Sequence, residues 1–242
     1  MEHLESLCPG GYRFVYDDAL FRPGTDTFLL SSLPKLRPGL RVCDLGCGTG
    51  LLGLLLLQRQ SALQVTGVEI LPQAVALAER AAAENGLEDR LTFRLGDLRQ
   101  PLLPAGAFDL AVCNPPYYPA GSGALPMADA RRSARSETAC TLPELCRAAA
   151  RLLRWGGSFC LVHKPERLGD LCCALRAAGL EAKRLHPVCQ TVGAPPSLLL
   201  LEARRGGKPG LSWEAPLVLR GQDGGPTAEV HAIYFRQQED MP

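Results

Sequence analysis

The motif Asn-Pro-Pro-Tyr-Tyr at residues 114–118 ends a short apolar run and suits chemistry on an amino group. Pro115 has no N–H, and Pro116 disfavours a helical conformation for the residue before it, so the chain stays extended. The Asn114 side-chain oxygen and the Pro115 carbonyl could then accept both hydrogens of an NH2 group and orient its lone pair. Tyr117 could stack on a planar group such as a base. The alternative interpretation is a strand-terminating turn with two packing tyrosines.

A glycine-rich loop, Asp44-Leu-Gly-Cys-Gly-Thr-Gly50, follows the first predicted strand of the main pattern and opens a helix. Gly46, Gly48 and Gly50 allow the backbone to come close to a ligand, and the N–H groups of a helix start attract an anionic group. A stretch shifted by one glycine also satisfies the dinucleotide fingerprint, with Glu69 about 20 residues further on. The loop therefore predicts a cofactor that contains adenosine, without distinguishing which one.

Three acidic residues stand at the ends of three successive predicted strands. Asp44 would repel a pyrophosphate and could accept hydrogen bonds from an ammonium group. Glu69 suits a ribose diol, and Asp97, beside the apolar Leu98, suits the exocyclic amine of adenine. Each acid alone could be a solvated carboxylate, but three at successive strand ends favour a ligand site.

The elements that must position these residues form an alternating pattern. Short apolar runs alternate with helical patterns over residues 41–178, which indicates a parallel sheet with helices on both faces. Asn114 then follows the fourth strand, adjacent to the first, at the switch point where open sheets bind ligands. Two further runs, 181–190 and 197–204, predict a hairpin that closes the sheet edge, and Pro195-Pro196 agrees with an edge position.

Length, composition and charge exclude several classes of protein. The 242 residues, 46% of them hydrophobic, suit one α/β domain. The net charge of +1 excludes a strongly basic chain, so a nucleic acid must be held by a local patch. The acidic start argues against a signal peptide, and no apolar run approaches the roughly 20 residues that a bilayer requires. The ten cysteines include no Cys-x-x-Cys pair, so we predict no metal site and a cytoplasmic location with reduced thiols.

Residues 40 to about 205 resemble the class I S-adenosylmethionine-dependent methyltransferases, on the glycine loop and the three acids. The resemblance implies a Rossmann-like fold: a seven-stranded, mostly parallel sheet with an antiparallel last strand and helices on both faces. Around this core we expect one domain over residues 1–242, in which residues 1–39 cap the cofactor site and residues 206–242 form a C-terminal appendage.

The resemblance also implies S-adenosylmethionine as the cofactor. Asp44 and the glycine loop would face its methionine part, Glu69 its ribose and Asp97 its adenine. Other residues that it assigns to the cofactor site are Thr25, Ile70, Leu98 and Asn114.

Asn-Pro-Pro-Tyr at this position resembles the amino-methyltransferases, which act on adenine N6, guanine N2 or the glutamine amide of release factors. Further stretches, among them Asp26-Thr-Phe-Leu-Leu30 and Val162-His-Lys-Pro-Glu-Arg-Leu168, resemble the bacterial tRNA adenine-N6 methyltransferases. This resemblance implies methylation of the adenine beside the anticodon of a valine tRNA, by a monomer that contacts the anticodon stem-loop. The catalytic residues would be Asn114, Pro115 and Tyr117.

Three alternatives stay open. Arg22-Pro-Gly-Thr-Asp26 resembles a segment of the glutamine methyltransferases, although only 43 residues precede Asp44, too few for the helical region that those enzymes carry before the loop. The overlapping fingerprint permits a nicotinamide-dependent oxidoreductase, against which Asp44 and the Asn-Pro-Pro-Tyr motif argue. A non-catalytic RNA-binding module is the third, although Asp44, Glu69 and Asn114 are all intact.

Several basic residues could contact RNA phosphates. A long connection over residues 119–137 carries Arg131, Arg132 and Arg135, and Lys164 follows a predicted strand. Further candidates near the tail are Arg204, Arg205 and Lys208. A solvated run of charge is the alternative for all of them, and His163 favours a structural histidine over a base.

Overall fold

The computed structural model describes residues 1–18, 20, 23–115 and 140–234. Its first part contains β1 (Glu2–Ser6), β2 (Arg13–Asp17), α1 (Thr25–Ser32), β3 (Arg41–Leu45), α2 (Leu51–Arg59), β4 (Gln64–Glu69), α3 (Pro72–Glu84), β5 (Leu91–Leu95) and β6 (Phe108–Cys113). Its second part contains α4 (Leu142–Leu152), β7 (Leu153–His163), a 3-10 turn (Pro165–Arg167), α5 (Leu168–Ala177), β8 (Leu180–Cys189), β9 (Pro196–Arg205), β10 (Ser212–Trp213), β11 (Leu217–Val218) and α6 (Ala228–Tyr234).

The central sheet has the strand order β10-β8-β9-β7-β6-β3-β4-β5, with β11 also paired to β8. Strands β3 to β7 are parallel, and β9 is antiparallel to both of its neighbours. The seven strands β3 to β9 confirm the predicted Rossmann-like fold with its antiparallel last strand. The tail adds two strands of two residues each to the outer edge of β8, so the sheet has nine strands instead of seven.

The predicted hairpin is present as β8 and β9 and closes the seven-stranded part of the sheet, but β8 and not β9 is its outer strand. Because β9 pairs with β7 on one side and β8 on the other, it lies inside the sheet. The interpretation of Pro195-Pro196 as a mark of a sheet edge is therefore wrong. Pro196 is tolerated because it is the first residue of its strand, where the missing N–H disrupts the ladder least.

Alternating side chains of the sheet bury two hydrophobic clusters, one on each face. In β6, Leu110 and Val112 contact the cluster that includes α1, α2, α3 and α6, whereas Ala111 and Cys113 contact the cluster that includes α4 and α5. Helix α2 is apolar on nearly all sides and is buried throughout most of its length. Helix α4 begins with a capping box between Thr141 and Glu144, which satisfies backbone N–H groups at its start.

The N-terminal and C-terminal segments pack on the same face of the sheet. The antiparallel pair β1–β2 is attached to the end of α3 by Asn85, whose side chain bonds both the N–H and the carbonyl of Arg13. One hydrophobic cluster includes Leu7 of the N-terminal segment and Ile233 of the tail. This shared core is consistent with one domain, and the division at residues 39 and 205 stays a prediction. No helix in the described part of the chain is long and apolar enough to cross a membrane.

Candidate active site

The predicted site residues lie at the carboxyl ends of the parallel strands. We call this end of the sheet its carboxyl edge. Strand β3 lies between β4 and β6, and Asp44 is in register with Gly67 on one side and Val112 on the other. Glu69 and Asn114 therefore extend two residues beyond Asp44 on the two neighbouring strands. The acids and the amide, which lie far apart in the sequence, meet at the switch point that the pattern predicts.

The glycine loop uses its glycines for two different reasons. Gly46, Gly48 and Gly50 all have positive φ angles, of 70°, 54° and 79°, which other residues rarely adopt. A Cβ atom on Gly50 would also lie 2.9 Å from the Phe93 ring, so this position is closed by packing. A Cβ atom on Gly46 would meet no heavy atom of the described residues within 4 Å. The loop is therefore open at Gly46, where a ligand can come close to the backbone.

Asp44 is a buried acid with an unsatisfied oxygen. Its side chain is 2% exposed, and its Oδ2 atom has no hydrogen-bond partner among the described residues. Burial, together with the charge of Glu69, raises the pKa of Asp44 to about 8, although a backbone hydrogen bond from Gly53 acts in the opposite direction. A buried carboxyl oxygen without a partner is costly unless a ligand supplies a donor or a positive charge. A cationic group of a ligand could therefore supply the missing partner of Asp44 Oδ2.

Glu69, in contrast, is held by three backbone N–H groups. Its carboxylate accepts from Gly48 at 2.9 Å, from Ile70 at 2.9 Å and from Leu71 at 3.0 Å. The bond to Gly48 connects β4 to the glycine loop, a role that the sequence did not indicate. Ile70 is 39% exposed and presents an apolar surface beside the carboxylate. Contacts of Glu69 with a ribose and of Ile70 with a cofactor stay predictions.

Asp97 has a partner that the sequence interpretation did not consider. The Nε atom of Arg99 lies 3.0 and 2.9 Å from the two carboxylate oxygens of Asp97, and the Arg99 backbone N–H also donates to Oδ1 at 2.9 Å. These bonds from Arg99 hold the pKa of Asp97 below its usual value. Leu98 is partly buried, and its carbonyl accepts from Arg151 at 3.1 Å. Any contact of Asp97 with adenine must use lone pairs that Arg99 leaves available.

Asn114 and Pro115 are partly buried at the end of β6. The Nδ2 atom of Asn114 donates to the hydroxyl of Thr27, at 2.9 Å. Thr27 lies in the first turn of α1 and was missed by sequence reasoning, because the two residues are 87 positions apart. The neighbouring Thr25, which the resemblance assigned to the cofactor site, is exposed and shares a side-chain hydrogen bond with Tyr234.

The remaining predicted residues divide into three groups. Lys164 follows β7, which neighbours β6, and so lies on the same edge as Asn114. Arg205, the last residue of β9, pairs with Leu180, the first residue of β8, so Arg204, Arg205 and the nearby Lys208 lie towards the opposite edge of the sheet, at the amino ends of the parallel strands. The residues Pro116, Tyr117, Tyr118, Arg131, Arg132 and Arg135 lie outside the described residues, as does Arg22.

His163, the last residue of β7, is buried and hydrogen-bonded, as a structural histidine would be. Its Nδ1 atom accepts the backbone N–H of Lys164 at 2.9 Å. Burial, followed by the charge of Arg167, lowers the pKa of His163 to about 4, so the ring is neutral near pH 7. In the described residues no group of three or more His, Cys, Asp or Glu side chains is placed to hold a metal ion. The absence of a metal from the whole chain stays a prediction.

Comparison with known proteins decides the family. Residues 15–169 match the protein-family model described as the methyltransferase small domain. The chain belongs to this family. This methyltransferase is 32% identical over 215 residues to the tRNA1(Val) (adenine(37)-N6)-methyltransferase of Dickeya chrysanthemi (strain Ech1591), which covers 86% of this chain and 84% of the relative. It is 33% identical over 232 residues to the protein of the same name from Tolumonas auensis (strain DSM 9187 / NBRC 110442 / TA 4), covering 93% and 95%.

A solved structure agrees with the fold of this methyltransferase. A predicted O-methyltransferase, protein Atu636 from Agrobacterium tumefaciens, superposes with a TM-score of 0.70 at 21% identity, covering 86% of this chain and 95% of that one. Family membership confirms the class I methyltransferase resemblance and disfavours the oxidoreductase and the non-catalytic module.

The residues present fit S-adenosylmethionine, the cofactor expected from the sequence. This molecule carries a sulfonium and an ammonium group, and Asp44 offers a buried carboxyl oxygen without a partner on the described chain. The open backbone at Gly46 and the exposed apolar surface of Ile70 lie on the same edge. Because Asn114 stands on the next strand, an acceptor held by its amide would lie beside the cofactor.

Proposed function

We propose that this methyltransferase transfers a methyl group from S-adenosylmethionine to the N6 amino group of an adenine in tRNA, namely adenine 37 beside the anticodon of a valine tRNA. The observation that carries the proposal is the position of Asn114, which follows the strand next to that of Asp44 and lies two residues beyond it at the carboxyl edge of the sheet. Two relatives whose names state this reaction support the choice of acceptor, since they match over most of their own length.

The chemistry follows from the electronic structure of the acceptor. The cofactor, when bound, supplies an electrophilic methyl group. The amino group of adenine is a weak nucleophile because its lone pair is delocalised into the ring. Asn114 Oδ1 and the Pro115 carbonyl would accept its two hydrogens and turn the lone pair towards the methyl group. No general base is needed before attack, because the proton is readily lost once the nitrogen is methylated.

The environment of His163 agrees with a mechanism in which this histidine does not act as a general base. It is buried, and its Nδ1 atom is already bonded to the backbone of Lys164. Tyr117 would stack on the adenine ring, as aromatic residues do with unpaired bases. This role completes the catalytic group of Asn114, Pro115 and Tyr117.

The RNA would be held as an anticodon stem-loop. Its phosphates would contact Lys164 at the carboxyl edge of the sheet. They would also contact three arginines of the 119–137 connection, Arg131, Arg132 and Arg135. Since the net charge is only +1, binding depends on this local patch and not on the field of the whole protein. We further propose that the enzyme acts as a monomer, without a metal, in the cytoplasm.

The proposal is tested by methyl transfer from radiolabelled S-adenosylmethionine to unmodified tRNA, beside a release-factor protein as a rival acceptor. We expect N6-methyladenosine in valine tRNA with the wild type, and at least about 100-fold less with Asn114→Ala, while cofactor binding persists. Asn85→Ala is the matched control, because that amide bonds Arg13 at the end of α3, which lies towards the amino ends of the strands and not beside Asn114. It should lose stability and keep its specific activity at a permissive temperature.

Other outcomes would redirect or overturn the proposal. Label on the glutamine of the protein acceptor would favour the glutamine methyltransferase alternative. Label on another base would retain an RNA methyltransferase and reject adenine. An Asn114→Ala variant as active as the wild type would reject the role of the amide.

A further inference from the structure

The Asn114 amide has an acceptor end and a donor end, and the two must not be exchanged in the proposed reaction. Oδ1 is needed to accept a hydrogen from the target amine. If the amide were rotated by half a turn, its NH2 group would face the target instead and would repel the N–H hydrogens. A residue that holds the amide in the required orientation is therefore part of the machinery even if it never contacts the substrate.

Thr27 bonds the donor end of this amide. Its hydroxyl oxygen lies 2.9 Å from Nδ2 of Asn114, and because an amide NH2 group only donates, Thr27 is the acceptor in this bond. We propose that Thr27 is the positioning residue that fixes the orientation of the Asn114 amide for methyl transfer, an inference that rests on the proposed function. The bond secures the donor end of the amide against α1.

Helix α1 is held rigidly enough to serve as a reference for this bond. Arg59 of α2 donates to the carbonyl of Ser31 and, at 3.1 Å, to that of Pro34. Arg184 of β8 donates to the carbonyl of Leu33. Cationic groups at the carboxyl end of a helix satisfy its last carbonyls and suit its dipole. The end of α1 that is remote from Asn114 is thus fixed by two separate elements.

The first turn of α1 is fixed by the tail. The rings of Phe28 and Tyr234 stack with their centroids 4.7 Å apart and an interplanar angle of 7°. A side-chain hydrogen bond joins Thr25 to Tyr234. Leu29 and Leu30, in the middle of the helix, are fully buried. Because contacts surround Thr27 along the helix, its hydroxyl is positioned before any ligand binds.

The test uses a pair of substitutions at one position. Thr27→Val keeps the shape of the side chain and removes the acceptor, whereas Thr27→Ser keeps the hydroxyl. We expect kcat for tRNA to fall about 10- to 100-fold in the valine variant, as a small misplacement of a catalytic group can cause. KM for tRNA and Kd for S-adenosylmethionine should change by less than about twofold, because uniform binding is not affected. Thr27→Ser should restore most of the rate.

Two controls separate positioning from a general effect on the helix. Ser32→Ala removes another hydroxyl of α1, one that donates to the nearby Leu29 carbonyl at 2.7 Å, and should leave kcat near the wild-type value. Thr27→Val should have no further effect in an Asn114→Ala background, because a residue that acts through Asn114 has nothing left to position. An additive loss in the double variant would overturn the inference, as would equal losses in the valine and serine variants.

A readout without turnover keeps this inference separate from the proposed function. The side-chain NH2 resonances of Asn114 can be assigned by their disappearance in Asn114→Ala. They should shift in Thr27→Val and stay near their original positions in Thr27→Ser. If the wild type failed to methylate tRNA, the proposed function would fail while these resonances still tested the contact. Unchanged resonances in Thr27→Val would reject the role of Thr27 whatever the activity.

Discussion

The two halves of the proposed site, one for the cofactor and one for the acceptor, are built in different ways. The cofactor half consists of the glycine loop with Asp44 and Glu69, and most of its contacts join residues on neighbouring strands or within one turn. The acceptor half consists of Asn114 with Thr27, which come from opposite ends of a stretch of 87 residues and meet only because α1 packs over the sheet. The difference teaches that a site can be half encoded by a local motif and half by packing at long range.

The sharpest test of the cofactor half is Asp44→Asn. We expect the affinity for S-adenosylmethionine to fall at least about 100-fold, because a charged partner of a cation is lost from a buried position. Titration calorimetry measures this directly. An affinity within about threefold of the wild type would show that Asp44 is not the partner of the cofactor's positive charge.

The same variant should stabilise the protein when no cofactor is bound. The folded pKa of Asp44, about 8, lies above its ordinary value of 3.8, so the folded state retains a proton that the unfolded chain releases. This group therefore lowers the free energy of unfolding progressively as the pH rises from about 4 to 8. We expect Asp44→Asn to raise the free energy of unfolding by about 2–4 kcal/mol at pH 7 and to change it little at pH 4. Urea unfolding at the two pH values measures both, and a gain that is equal at both would contradict the assignment.

Within the glycine loop, alanine substitutions at Gly50 and at Gly46 should affect stability and cofactor binding to different extents. Gly50→Ala forces a methyl group against Phe93 and should cost about 2–4 kcal/mol of stability. Gly46→Ala has a similar φ penalty but open space around the new atom, so it should cost about 1 kcal/mol while weakening cofactor binding more strongly. Thermal unfolding and calorimetry of the two variants separate packing from ligand access. The distinction would be lost if both variants changed stability and affinity in the same proportion.

Cofactor binding by the wild type should depend on pH. Asp44 must be ionised to attract a cation, and its pKa near 8 means that it is mostly protonated at pH 7 in the free protein. Affinity should therefore rise with pH below about 8, by up to about tenfold per pH unit, with release of nearly one proton at pH 7. Calorimetry in buffers of different ionisation enthalpy counts the protons. Asp44→Asn removes this contribution, and any dependence that remains belongs to the ligand.

The smallest expected effect is that of Lys164, which follows β7, the strand beside that of Asn114. Removing one phosphate contact with Lys164→Ala should raise KM for tRNA about threefold and reduce the salt dependence of binding by about one unit of slope. Arg204→Ala is the matched control, because it removes a positive charge towards the opposite edge of the sheet. Equal effects of the two variants would indicate that RNA contacts both edges or neither.

The sequence predicted the parallel sheet and the position of the glycine loop because their signals are local. Glycines at fixed spacing, an acid at the end of each strand and the order of the elements indicate the sheet and the loop before any contact is known. It did not predict that Arg99 would donate hydrogen bonds to the Asp97 carboxylate. A salt bridge between residues two positions apart leaves no periodic signal in the sequence. Thr27 was missed because no spacing rule connects a helix turn with a strand end 87 residues later. The interior position of β9 was missed because Pro196 satisfies the rule for a first strand residue and the rule for an edge equally.

The measurement that tests the central claim most directly is mass spectrometry of the anticodon fragment of a valine tRNA transcript, after incubation with S-adenosylmethionine and either the wild type or Asn114→Ala. We predict one methyl group on the N6 atom of adenine 37 with the wild type and none above background with the variant, which should still bind the cofactor. An unmethylated fragment with a wild-type enzyme that binds the cofactor, or a methyl group on another atom, would contradict the account.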